Sequence, residues 1–260
     1  MKKIAIITGA SSGMGREFAI KISKSFKSID EIWLIARRID RLEEVQAEID
    51  IPCYIICEDV SEEYFIDKFA KMLKQENVKI KMLVNCAGYG LCGKIGTAAC
   101  YAELGMIDTN CRGLTAVTLA AIPYMAKNSR IINLASSAAF MPQPYFAIYA
   151  ATKSYVLSFS RALGRELKDK EVYVTAVCPG PVNTEFFAIA EDGRERAWFK
   201  DLAMAEADEV VTLALNDAIN KKEISVYGIP MKMLRIFAKT VPHKVILDVY
   251  AKICRKMYEK

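Results

Sequence analysis

The chain has 260 residues, 53% hydrophobic and 26% charged, with a formal net charge of +5. That balance suits a folded unit with a sizeable core and excludes disordered, fibrous and low-complexity classes. Eight scattered cysteines without a Cys-x-x-Cys pair, beside a single histidine, leave no ligand set for a metal and fit reduced thiols in a cytoplasmic protein.

Short apolar runs alternate with longer helical patterns. Met1-Lys2-Lys3 and the run after it look superficially like a secretory leader, but the run is too short and flows straight into a glycine turn. Ile4–Thr8 therefore reads as a first β-strand. Further strands are expected at Ile32–Ala36, Tyr54–Cys57, Met82–Asn85, Arg130–Ala135 and Val172–Cys178, with a short edge strand near Ile224–Tyr227. Helices are expected between them, at about Gly13–Lys27, Arg38–Ile49, Glu62–Gln75, Glu103–Ala126 and Ala147–Leu167. Uninterrupted apolar strands separated by helices predict an α/β fold: a doubly wound parallel sheet of about seven strands with helices on both faces. No linker divides residues 1–230, which read as a single domain. The uncharged stretch Ile131–Thr152 is broken by Asn133, Pro142, Gln143 and Pro144, so no segment reads as a membrane span.

Gly9, Gly13 and Gly15 fall between the first strand and the first helix. Glycine there permits a tight turn and lets backbone N–H groups approach a pyrophosphate at the helix N-terminus. The second strand ends on Ala36-Arg37-Arg38, where an NAD binder commonly carries a carboxylate for the ribose 2′-OH. A guanidinium suits a 2′-phosphate instead, so the pair predicts NADP(H), with Arg37 as the contact and Arg38 as its helper. Further on, Tyr149 and Lys153 lie one helical turn apart, after Ser136 at a strand end. A second Tyr-x-x-x-Lys, Tyr64 with Lys68, falls on an expected surface helix and reads as an exposed pair.

In this order the motifs resemble the short-chain dehydrogenase/reductase family over roughly residues 3 to 228. Thr8-Gly-Ala-Ser-Ser-Gly-Met-Gly15 is similar to that family's cofactor turn, and Asn85-Cys-Ala-Gly88 to its Asn-Asn-Ala-Gly with one substitution. Asp59-Val60 sits where the family contacts adenine, and Met106-Ile-Asp-Thr-Asn110 resembles the helix that carries its asparagine. Ile132-Asn-Leu-Ala-Ser136 and Tyr149-Ala-Ala-Thr-Lys153 resemble its active-site segments, and Pro179-Gly-Pro-Val-Asn-Thr184 the loop over the nicotinamide. The resemblance implies a Rossmann fold, a homodimer or homotetramer, and Asn110, Ser136, Tyr149 and Lys153 as catalytic residues. It also implies cofactor contacts from Gly9, Ser11, Ser12, Gly13, Met14 and Gly15, from Arg37, Arg38, Asp59 and Val60, and from Asn85, Ala87 and Gly88. Tyr149, Lys153, Pro179, Gly180, Val182 and Thr184 complete that set.

These residue types suit carbonyl chemistry. A phenol with pKa near 10 is a poor acid, and an ammonium one turn away is expected to lower it. Tyr149 would then donate a proton to a carbonyl in reduction and accept one in oxidation, while Ser136 bonds the reacting oxygen. As the resemblance implies, Lys153 also bonds the nicotinamide ribose and Asn110 holds a water in a proton relay. Strand alternation points the neighbouring Ser137 away from that face.

Residues 185–207 are expected to form a substrate lid, in which Phe186, Phe187, Trp198 and Phe199 suggest either an apolar substrate or ordinary packing. Residues 231–260 form a C-terminal helical extension; from 232 onward they carry eight basic and two acidic groups, a net of +6 that leaves −1 for the remainder. Apolar residues recur there at helical spacing, from Met233 to Met257. This fits a helical hairpin packed on the body or on a partner subunit, or an interfacial helix in peripheral contact with anionic membrane. The motifs together predict an NADP(H)-dependent oxidoreductase that interconverts a secondary alcohol and a ketone, on a bulky hydrophobic substrate such as a hydroxysteroid. An NADPH-binding regulatory protein, an enoyl reductase, and a reductase of acyl or small carbonyl substrates stand as alternatives. No nucleic-acid recognition motif accompanies the basic tail.

Overall fold

The structure, a computed structural model, describes residues 1–191 and 204–258. Seven strands form one parallel sheet: β1 (Lys3–Thr8), β2 (Glu31–Ala36), β3 (Cys53–Cys57), β4 (Lys79–Asn85), β5 (Met125–Leu134), β6 (Val172–Val177) and the edge strand β9 (Ile224–Ser225). Their order is β3-β2-β1-β4-β5-β6-β9. The expected doubly wound sheet is therefore the one that forms.

Side-chain alternation along the buried strands divides the core into two layers. Ala5 and Ile7 of β1 face α1 (Gly13–Ser25), α2 (Ile39–Ala47) and α8 (Ala207–Ile219), with Phe18, Val45 and Val211 in the same cluster. Ile4 and Ile6 face α3 (Glu63–Glu76), α5 (Leu114–Ala121) and α6 (Ala147–Glu166), through Phe65, Phe69, Val117 and Leu163. Tyr64 and Lys68 lie on the outer side of α3, where both hold Glu58, an exposed cluster remote from the core.

Two boundaries differ from expectation. Strand β5 begins at Met125 because a bulge precedes Arg130: Ile80 pairs with Met125, whereas Met82 pairs with Arg130. Asn128 in this bulge takes φ +55°, which asparagine tolerates. The helix expected over Glu103–Ala126 runs instead from α4 (Cys100–Ile107) through a π-helical stretch (Asp108–Gly113) into α5. Asn110 sits in that π stretch, the kind of irregularity that often marks a functional position.

The strand order reverses between β1 and β4, which opens a crevice at the C-terminal ends of the strands. Past β6, β7 (Val182–Asn183) pairs with β8 (Ala205–Glu206), and α7 (Phe186–Glu191) follows β7. Trp198 and Phe199 of the expected lid lie outside the described residues. The chain closes with α9 (Ile229–Thr240) and α10 (His243–Tyr258), which bring Leu234, Ala238, Ile246 and Tyr250 against Phe140 and Met141. Among the described residues no helix is long and apolar enough to cross a membrane.

Candidate active site

The loops after β1, β4, β5 and β6 converge at the crevice. After β1 the backbone turns through Gly9 at φ +66° and Gly13 at φ +51°. A Cβ on Gly15 would lie 2.1 Å from the Gly9 carbonyl oxygen, and one on Gly9 would lie 2.7 Å from the Ala87 nitrogen. Only glycine lets the turn pack this closely on itself and on the β4 loop. Thr8 Oγ1 fastens the two together by accepting bonds from the Cys86 and Ala87 N–H groups, both at 3.1 Å. Helix α1 then starts with no acidic residue in its first turn and no side-chain cap from Ser12. Its leading N–H groups thus keep their positive end for an anion, so the turn fits a dinucleotide pyrophosphate.

Arg38, rather than Arg37, lies against this turn. Its Nη2 is 2.9 Å from Glu185 Oε2 and 3.4 Å from Ser11 Oγ. That guanidinium, followed by a bond from Ser12, holds the Glu185 carboxyl below its ordinary range. Arg37 reaches Asp59 Oδ2 at 3.4 Å from a side chain that is 70% exposed. Burial alone would raise the Asp59 carboxyl, but two bonds from Ser61 and the Arg37 charge outweigh it and the net direction is down. Val60 is buried beside Gly113 of the π stretch.

The Asn85 side chain does not line the cleft. Its amide turns into the interior, donating to Thr118 Oγ1 at 2.9 Å and to Asn133 Oδ1 at 2.8 Å. Those partners tie β4 to α5 and β5, so the side chain is spent on the scaffold. Cys86 and Gly88 of the same motif face the cleft instead. Burial pushes the Cys86 thiol up to about 12, which keeps it neutral.

Helix α6 carries Tyr149, Thr152 and Lys153 on its buried side. The Tyr149 ring stacks on Phe146 at 4.3 Å between centroids and meets Phe186 at 5.4 Å. Its hydroxyl lies near Ser136, which favours the ionised phenol, and Ser136 Oγ accepts from the Ala138 N–H at 3.1 Å. Lys153 Nζ donates to the Leu134 carbonyl oxygen at 2.7 Å and lies 5.6 Å from the centre of the tyrosine ring. Asn110 is fully buried next to this pair. Its Oδ1 accepts from the Tyr89 N–H at 3.0 Å, while its Nδ2 donates to the Tyr89 carbonyl at 2.9 Å and to Thr152 Oγ1 at 3.0 Å. A Cβ on Gly88 would strike Asn110 Oδ1 at 2.7 Å and approach Lys153 Nζ at 3.4 Å, so glycine sets how close the β4 loop comes to α6.

The electrostatics reverse one expectation. The lysine was expected to lower the tyrosine; instead burial drives the phenol above its ordinary value, and the nearby Ser136 offsets this only in part. Burial likewise brings Lys153 down to about 8. Tyr149 is therefore a protonated acid at neutral pH. Ser137 reverses another: it too borders the cleft, because β5 ends at Leu134 and a 3₁₀ turn over Ser137–Phe140 breaks the strand alternation.

Above Ser136, Tyr149 and Lys153 lies a cleft of about 720 Å³. Met141, Phe146, Phe186 and Phe187 form one part of its wall, and the Pro179–Val182 loop with Thr184 and Met14 another. The remaining wall comes from the C-terminal hairpin, through Met231, Leu234, Phe237 and Tyr250. A Cβ on Gly180 would meet the Met231 sulfur at 2.7 Å, so loop and hairpin touch directly. The apolar spacing of the hairpin was readable in the sequence, but not the surface it covers. Phe146 was overlooked, although it stands three residues before Tyr149, where helical neighbours meet.

A model of the short-chain dehydrogenase family matches residues 3–195. This chain belongs to that family. An uncharacterised oxidoreductase of Staphylococcus epidermidis is 34% identical to this short-chain dehydrogenase over 228 residues, covering 86% of the chain and 96% of the relative. Sulfoacetaldehyde reductase 2 of Chromohalobacter salexigens is 31% identical over 235 residues, covering 87% and 92%. Among solved structures, a short-chain dehydrogenase of Sphingobium yanoikuyae in complex with NADPH superposes with a TM-score of 0.73 at 25% identity, covering 87% of each chain. One from Burkholderia phymatum in complex with NAD gives 0.77 at 23% identity, covering 92% and 93%, a likeness of fold. The protein is accordingly an oxidoreductase acting on CH–OH or carbonyl groups of a small molecule, with a nicotinamide cofactor.

Proposed function

We propose that the protein interconverts a secondary alcohol and a ketone on a bulky apolar substrate, of the size and character of a hydroxysteroid, with NADP(H) as its cofactor. The observation that carries this reading is the pairing of the Ser136 and Tyr149 hydroxyls with a cleft of about 720 Å³ walled by Met, Phe and Leu side chains. Lys153 is the one charged residue among the described cleft-lining residues, and it is bonded to Leu134. Among these described residues a small anionic aldehyde such as sulfoacetaldehyde would find no second cation for its sulfonate, which favours an apolar ligand.

Bound in the crevice, the nicotinamide cofactor supplies or accepts hydride at the substrate carbon. Ser136 holds the carbonyl oxygen and stabilises the negative charge that develops there. Tyr149, protonated and locked between Phe146 and Phe186, passes its proton to that oxygen. Lys153 supplies positive charge beneath the phenol as the proton leaves, and Asn110, fixed by Tyr89 and Thr152, holds the β4 loop and α6 at working distance. In oxidation the same groups act in reverse.

Arg38 supports the preference for a 2′-phosphate, because it is the cation set against the glycine turn, with the Glu185 carboxylate beside it. Arg38→Ala is expected to weaken NADPH binding by about tenfold to a hundredfold, with little effect on NADH, since one or two charge-assisted bonds are lost. Titration of cofactor fluorescence with each nucleotide measures this, and an equal loss for both would remove Arg38 from phosphate recognition. Oxidation of NADPH against NADH over steroid ketones, acyl ketones and small polar aldehydes tests the reading as a whole. Turnover is expected with NADPH and the large apolar ketones. Turnover confined to small polar aldehydes would overturn the substrate class, and saturable NADPH binding without turnover of any carbonyl would favour a cofactor-binding regulatory protein.

A further inference from the structure

The outer side of the C-terminal hairpin carries apolar residues that the core does not use. On α9, Ile229, Met233, Ile236 and Phe237 follow the i, i+4, i+7, i+8 spacing of a single stripe and are 48% to 73% exposed. On α10, Val245, Val249 and Ile253 repeat every four residues and are 41% to 56% exposed. Each helix buries a different set inward, Ala238 on α9 and Ile246 and Cys254 on α10. Seven large apolar side chains on two adjoining helices exceed the scattered exposure of an ordinary surface. Exposed lysines flank the stripes, Lys232 and Lys239 on α9, Lys244 and Lys252 on α10. Residues 232–260 hold a net +6 while the rest of the chain holds −1. Met233, Phe237 and Ile253 also line the cleft, so both stripes run into its mouth.

We propose that this face rests on an anionic lipid bilayer, with the stripes sunk to the boundary of headgroups and acyl chains and the lysines among the phosphates. The cleft then opens toward lipid, and an apolar substrate moves between bilayer and Ser136 without crossing water. Charge selects this occupant: a second copy of the hairpin would bring +6 against +6, whereas anionic headgroups meet the lysines with opposite sign. Docking depends on the hairpin alone, and the substrate route rests on the carbonyl activity proposed above. Vesicle binding reads docking without turnover, so the two can fail separately.

The experiment is co-sedimentation of the full chain with vesicles of phosphatidylcholine alone or with about 30% phosphatidylglycerol. Binding is expected to the anionic vesicles only, and to weaken as salt rises from about 0.05 to about 0.5 M. Ile236→Glu combined with Val249→Glu, two exposed positions outside the cleft lining, is expected to reduce the bound fraction by about tenfold or more. Its thermal midpoint should remain that of the wild type. Should this pair unfold the hairpin, Lys232→Glu with Lys239→Glu tests the same surface through charge and is expected to abolish the preference for anionic vesicles. Equal binding of a folded variant and the wild type, or no binding by the wild type, overturns the proposal. So does a dimer in sedimentation velocity that the paired glutamates split, which would assign the face to a second copy.

Discussion

Tyr149→Phe is expected to lower ketone reduction by about a thousandfold, within the range for removing a positioned general acid. NADPH affinity should stay within about twofold, because no bond of the glycine turn or of Arg38 involves the phenol. The substitution deletes one oxygen and keeps the ring, so stacking on Phe146 and contact with Phe186 persist. Loss of turnover without loss of fold is thus the signature of the acid itself. The pH profile adds a second check. The phenol lies above its ordinary value, so it stays protonated throughout the neutral range, and any fall in reduction near pH 8 belongs to Lys153. Steady-state kinetics from about pH 6 to 9 for wild type and variant would decide; a variant keeping more than about a tenth of wild-type kcat/KM would remove Tyr149 from the proton step.

Much of this architecture was legible because its signals are local. Short, β-branched apolar runs such as Ile4–Thr8, ended by a glycine turn, suit strands buried on both faces, and glycines after a strand mark a turn whose backbone contacts exclude a side chain. Tyr149, Ser136 and Lys153 could be grouped because a strand end and a helix turn fix them by spacing. What the sequence hid depends on three-dimensional neighbours. The charge states did not follow from spacing, because burial outweighs a neighbouring ammonium at the same site. Asn85 and Arg37 carry the expected residue types, yet their partners, Thr118 and Asn133 for one and Asp59 for the other, come from distant segments. The bulge at Asn128 and the π stretch at Asn110 are changes of backbone register with no marker in hydrophobic period. Above all, the hairpin pattern shows that α9 and α10 have an apolar side, but not that Leu234 and Tyr250 wall the cleft, Ile236 and Val249 stay outside it, and Met233, Phe237 and Ile253 do both.

Lys153→Met is expected to cost about a hundredfold or more in turnover while making the protein more stable at neutral pH. The activity loss follows from removing the charge beneath the phenol, the sole cation in contact with the described cleft. The gain in stability follows from burial. Lys153 is 5% exposed and its pKa falls from 10.5 to about 8, a difference of roughly 3 kcal/mol between its folded and unfolded proton affinities. Losing the bond to the Leu134 carbonyl offsets about 1 kcal/mol, which leaves a net gain of about 2 kcal/mol, or about 4 to 8 °C in Tm. The sign with pH is fixed by linkage. Between about 8 and 10.5 the unfolded chain binds more protons at this lysine than the folded one, so wild-type stability from this group rises with pH across that window. Below about 8 both states hold the proton and the full cost applies. The advantage of the methionine variant should therefore be greatest at pH 7 and shrink toward pH 10. Calorimetry of both proteins at the two pH values measures it, and a variant less stable than wild type by the same margin at each would show that Lys153 serves the fold rather than straining it for catalysis.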